Sequence, residues 1–286
     1  MTLPDVRGTI RGVIGSYFSA DRFPEEQYTD PPGDEGLFGS DSITWQVHAD
    51  VSMFVGGMAA LMLQSLHPRA AAVVAGSSRF REEPLHRLSR TGSFVAATTY
   101  GSTPVAEAVI ERVRQVHRRI PGASDPELLR WVHVAEVSSF LHAYRRLHPV
   151  PLRPADMDRY YDENAVVAER LGAAAVPRSR AEVRQYYREV RPELSAGDDA
   201  RELLAFLRRP ISRQPAVRAA YTVFLRAAEA QLPSWARQLH GITVPPGADR
   251  LVIRPTAFAV VEALRLAAGS SPIRATAARR AAAVVA

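Results

Sequence analysis

Residues 103–144 read TPVAEAVIERVRQVHRRIPGASDPELLRWVHVAEVSSFLHAY. Two helices and the punctuation between them are legible in this stretch. Thr103-Pro104 supplies a capping hydroxyl followed by proline at the first helical position, where its missing N–H leaves no hydrogen bond unmade. Ile110, Val113 and His117 then recur at helical spacing, so one face of a helix running to Ile120 is apolar. Pro121-Gly122 stops it. Asp125-Pro126-Glu127 is a second start signal, with acids placed to favour a helix N-terminus. The helix that follows carries Trp131, His133, Glu136, Phe140 and Tyr144.

The same periodicity extends in both directions, while alternating β-branched runs hardly occur. Towards the N-terminus, helices are predicted over 42–48 and 50–66, with a break at His67-Pro68 and a continuation to 76. Another opens near Glu82-Glu83-Pro84 and runs to Thr99, with Gly101 as its stop signal. Beyond His148-Pro149-Val150-Pro151, helices are predicted over 154–171, 179–190, 198–208, 214–230 and 233–240. Pro245-Pro246-Gly247 introduces a last pair over 255–267 and 272–283. Residues 22–41, rich in Pro, Gly and Asp, are a loop. The expected fold is all-α, one large helical domain over 35–286, with residues 1–34 forming an N-terminal helix and a Pro/Gly-rich loop.

With 286 residues, 47% of them hydrophobic, the chain can bury a large core. It contains no cysteine, which excludes thiolate-ligated heme, covalent heme attachment, iron–sulfur clusters and disulfides. Lysine is also absent, which removes Schiff-base chemistry and a P-loop lysine. The formal charge of +6 comes from arginines interleaved with acids, and Arg-Arg pairs at 118–119, 145–146, 208–209 and 279–280 are scattered. Nucleic acid is therefore not an expected partner. Asp5, Arg7 and Arg11 interrupt the apolar core that a signal peptide needs. The run from Val51 to Leu63 is shorter than the ~20 residues of a membrane span. No span is expected, and the localisation expected is cytoplasmic.

Familiar catalytic motifs are missing: no His-Glu-x-x-His, Gly-x-Ser-x-Gly, Gly-x-Gly-x-x-Gly or Walker-type loop occurs. Gly8, Gly12 and Gly15 have the wrong spacing for phosphate binding. His133 and Glu136 share a helical face with Phe140, but their order reverses the Glu-x-x-His of di-iron bundles. Glu83-x-x-His86 has the right order in a single copy. Di-iron chemistry is not expected, and His133 reads as structural or as a support to other groups.

Arg87-Leu88-Ser89-Arg90-Thr91, followed by Arg114-Gln115-Val116-His117, resembles the MpaB/rubber-oxygenase catalytic domain family. The resemblance spans residues 35–265 and is strongest at Gly36–Trp45, Leu66-His67-Pro68, Phe80–Gly101, Arg112–Gly122 and Trp131–Tyr144. It implies an all-α domain enclosing a pocket for heme b, with His117 as the axial iron ligand. Arg87, Thr91, Arg114 and Gly92 are then cofactor-binding positions. Arg87 is available to a propionate, Thr91 to bound dioxygen or water, and Gly92 to close approach of a porphyrin. Thr91, Arg90 and His67 are the implied catalytic positions. Rubber oxygenases carry a lysine where Arg90 stands, and arginine does not readily lose the proton that ligation requires. His67, at its bend, either stabilises that bend or serves as a pocket residue or distal ligand. The resemblance points to no particular glutamate as catalytic. It implies an oxygenase or oxidase acting with dioxygen on a hydrophobic, isoprenoid-like or secondary-metabolite substrate, collected through peripheral membrane contact where that substrate is lipid-like. A non-catalytic heme sensor or carrier and a heme-dependent dehydrogenase are the alternatives.

Overall fold

The computed structural model describes residues 26–76, 84–209, 213–269 and 271–283, and the side chains at 26, 27 and 84–89 lie outside that description. The chain elements in order are α1 (Glu26–Thr29), α2 (Ile43–His48), α3 (Met53–Gln64), α4 (Pro68–Gly76), α5 (Pro84–Tyr100), α6 (Thr103–Arg118) and α7 (Pro126–Leu147). They continue with α8 (Pro154–Leu171), α9 (Arg180–Val190), α10 (Asp198–Leu207), α11 (Pro215–Gln231), α12 (Ser234–Leu239), α13 (Arg254–Ala268) and α14 (Pro272–Ala282). No strand occurs among the described residues, so the all-α expectation holds. The N-terminal helix expected within residues 1–34 falls mostly outside the described residues.

The central element is α7. Asp125 accepts hydrogen bonds from the Glu127 and Leu128 amides, Pro126 opens the first turn, and Arg145 and Arg146 sit in the last. Each of these favours a helix with exactly these ends. Its buried residues (Leu128, Trp131, Ala135, Phe140, Tyr144 and Leu147 among them) point in every direction, as they must in a helix surrounded by others. The most extensive packing in the molecule is between α7 and α3. Gly56 makes it possible: a Cβ there would lie 2.9 Å from Phe140 Cα. Trp131 Nε1 donates to Gln64 O at 3.1 Å, and Gln64 Nε2 donates to Val132 O at 3.2 Å, which closes the far end of the crossing.

Around this pair, α11 and α10 pack on α3, α13 packs on α7, and α8 packs on α2, α6 and α7. α5 and α6 form an antiparallel hairpin turning at Gly101. The expected cap at Thr103 shifts by one residue: Ser102 is the N-cap and Thr103 is already helical. The reason is a distant carboxylate. Thr103 donates to Asp34 Oδ1 from its amide at 2.8 Å and from its hydroxyl at 3.2 Å, so a loop residue caps this helix from across the fold. Arg280 on α14 ties the same corner. Its guanidinium donates to the carbonyls of Asp34, Tyr28, Tyr100 and Gly101. Among the described residues no helix is long and apolar enough to cross a membrane.

Candidate functional site

On the side of α7 away from Trp131, the fold changes character. His133 and Glu136 lie three positions apart and so share one helical face. His133 Nε2 and Glu136 Oε1 have no accessible surface and no hydrogen-bond partner among the described residues. Both residues are otherwise half-buried. Burial pushes the Glu136 carboxyl up to about 7 and the His133 imidazole down to about 4. At neutral pH the histidine is uncharged and the glutamate is shared between its two protonation states.

His48, the last residue of α2, completes this cluster. Its Nδ1 lies 2.8 Å from Thr99 Oγ1 on α5 and its Nε2 lies 3.0 Å from the Tyr160 hydroxyl on α8. One nitrogen donates and the other accepts, so the neutral ring links two hydroxyls. Burial, reinforced by the neighbouring His133, lowers its pKa to about 3. The His48 ring also meets Phe140 edge-on at 5.6 Å. Tyr160 is fully buried and within electrostatic reach of Glu136, and burial raises its hydroxyl pKa well above the ordinary range. Four helices thus bring together two hydroxyls, two neutral imidazoles and a carboxyl that titrates near neutrality.

His117 lies on α6, in line with Ala106 and Ile110, which are buried, and with Val113, which is half-buried. Its ring is half-buried with Nδ1 shielded from solvent. α6 packs along α5 and α8 but makes no extended contact with α7, the helix that follows it. The histidine-bearing face of α6 is therefore not closed by its successor. Arg114 and Arg118, on the outer side, pair with Glu111 at 3.1 and 2.6 Å.

The remaining sequence-derived positions are dispersed. Arg90 and Thr91 are exposed on α5, and Gly92 is half-buried in an uninterrupted stretch of that helix. Arg87 lies on α5 with its side chain outside the described residues. His67 is buried at the α3–α4 bend, its ring 6.0 Å from Trp131 and its Nε2 3.7 Å from Glu193. Trp131 and His133 project from opposite sides of α7, so the structure does not bring His67 to the His133–Glu136 face. Sequence reasoning passed over His48, Thr99 and Tyr160. No local signal marks them, because their pairing depends on how α2, α5 and α8 meet.

The family model for the ER-bound oxygenase mpaB/B'/Rubber oxygenase catalytic domain matches residues 45–265. The chain belongs to that family. The match runs from Trp45 on α2 to Arg265 on α13, so it takes in every residue of the polar cluster and His117. No curated protein and no solved structure matches the chain. The family establishes an oxygenase-type catalytic domain.

Proposed function

We propose that this protein is a heme b-dependent oxygenase that acts with dioxygen on a hydrophobic substrate, isoprenoid-like or a secondary metabolite, in the cytoplasm. The observation that carries the reading is the pair of shielded atoms on one face of α7, His133 Nε2 and Glu136 Oε1, which have no partner among the described residues of an oxygenase-family domain. Buried polar atoms are nearly always hydrogen-bonded. Two unpaired ones on one face of a central helix fit a site designed for something other than the protein's own groups.

The residues present fit a heme. Without cysteine or lysine, a histidine is the natural iron donor, and His117 would offer one from an apolar face that α7 does not cover. Gly92 and Val113 are half-buried on the same hairpin. By the family pattern Arg87 would hold a propionate, Thr91 would offer its hydroxyl to dioxygen or water, and Arg114 would be a further cofactor-binding arginine. Bound heme would supply the redox chemistry that activates dioxygen.

The chain's own residues would do the rest. Apolar side chains on α6 and α7 would hold the substrate and exclude water, which strengthens every polar interaction in the site. Glu136, with a pKa near neutrality, is suited to take up or release a proton at Oε1. His133, held neutral, can donate or accept at Nε2 without adding charge. Thr99, His48 and Tyr160 form a short relay through which a proton can be handed on. Arg90 and His67 remain candidate contributors, the first at the exposed start of the site and the second at the α3–α4 bend.

The test is dioxygen uptake by heme-reconstituted protein offered a panel of isoprenoid hydrocarbons and alcohols, with products identified by mass spectrometry. Substrate-dependent uptake that falls at least ~100-fold in Glu136→Gln is the expected outcome. Heme retention with no uptake on any substrate would favour the sensor or carrier reading.

A further inference from the structure

A cavity of about 340 Å³ opens on the side of α7 away from His133 and Glu136, between α3, α9 and the end of α11. Its floor is formed by Ala59 and Leu63 together with Ser139 and Gln231, all buried. Gln231 donates from Nε2 to Val55 O at 3.3 Å, leaving Oε1 as an acceptor with no partner. Ser139 Oγ is likewise buried and unpartnered. Its mouth is basic. Arg145 and Arg184 are exposed there and form no ion pair with any described residue, while Arg180 is held by Asp158 at 2.9 Å. All three guanidinium groups lie within electrostatic reach of the Tyr161 hydroxyl, which also lines the cavity. Three arginines against one aspartate leave the mouth with two positive charges in excess.

We propose that this cleft binds a medium-chain amphiphile carrying a carboxylate or phosphate at one end and a hydroxyl or N–H at the other. The volume falls at the lower end of small-molecule sites. The apolar walls accept a hydrocarbon segment, and the two unpaired floor atoms ask for a polar terminus that both donates and accepts. The free arginines at the mouth hold an anion in charge-assisted hydrogen bonds. The assignment is independent of what occupies the His133–Glu136 face, because Ser138, Leu141, His142 and Arg145, which line the cleft from α7, lie on the opposite side of that helix.

The test is isothermal titration of the full chain with 10-hydroxydecanoate, with decanoate and 1-decanol as comparators. One site per chain is expected, with the hydroxy acid binding more tightly than either comparator. Arg145→Ala combined with Arg184→Ala changes only exposed side chains, and about a tenfold loss of affinity is expected. Ser139→Ala should weaken the hydroxy acid about threefold and leave decanoate unchanged. Affinity unaltered in the double arginine variant would overturn the proposal, as would decanoate binding as tightly as the hydroxy acid.

Discussion

Two ionisable groups in this molecule are treated in opposite ways. Arg280 has every guanidinium nitrogen donating to a backbone carbonyl, from four residues in three segments of chain. Glu136 is half-buried with its Oε1 shielded from solvent, yet that oxygen has no partner among the described residues. The first is what a structural polar group looks like: its desolvation is offset bond by bond, and it fixes how segments meet. The second weakens the fold and leaves a reactive group at a pKa of about 7. The difference separates the corner where α14 closes the domain from the face of α7 where chemistry is proposed.

The sharpest way to break that contrast is to remove both groups in turn. Arg280→Met should destabilise by about 3–5 kcal/mol, since three buried carbonyls and one part-buried carbonyl lose their donor. Denaturant unfolding at pH 7 would show it, and a loss under ~1 kcal/mol would mean that water replaces the guanidinium at little cost. Glu136→Gln should do the reverse and stabilise the cofactor-free protein by up to about 3 kcal/mol at pH 8.

The sign follows from the direction of the shift. The Glu136 carboxyl rises from 4.5 to about 7 on folding, so the folded state holds that proton more tightly than the unfolded one. Stability is therefore greatest below the unfolded value and is lost as pH rises through the folded one. His133 is depressed from 6.5 to about 4, so it acts with the opposite sign over nearly the same interval, and its share of stability falls as pH drops through it. Unfolding measured from pH 4 to 9 should show Glu136→Gln gaining on wild type as pH rises from 4.5 to about 7 and keeping that advantage above it. A variant with the wild-type pH profile would place the carboxyl in contact with water.

Smaller effects sharpen the comparison at its edges. Gly56→Ala inserts a methyl group against Phe140 Cα and should cost about 1–3 kcal/mol in thermal unfolding. Arg114→Ala breaks only an exposed pair with Glu111, and a change in stability below ~0.5 kcal/mol is expected. If the same variant lowers heme affinity severalfold, Arg114 reaches the cofactor in spite of that exterior pairing.

The fold was largely legible because its signals are local. The spacing over 154–171 predicts α8 to the residue, and Asp125-Pro126-Glu127 marks the start of α7. The Thr103 cap was misplaced by one position because its real acceptor, Asp34, lies in a distant loop. The short turn Glu26–Thr29 was hidden within a stretch whose prolines and glycines read as loop throughout. The site was legible only in part. His117 stands out on its apolar stripe, whereas His133 and Glu136 read as structural because a single chain of letters does not show whether a buried group has found a partner. His48, Thr99 and Tyr160 come from three helices far apart in sequence, and only packing unites them.

The proposed function requires that the side of α6 left open by α7 hold a heme through His117. Titrating the purified, cofactor-free chain with hemin and following the Soret absorption tests it most directly, with His117→Ala and His67→Ala run alongside. Saturation at one heme per chain is expected for wild type and for His67→Ala, with His117→Ala losing the axial-ligand spectrum unless imidazole is added. Failure of the wild type to bind heme would contradict the claim, as would a His117→Ala variant that keeps the wild-type spectrum.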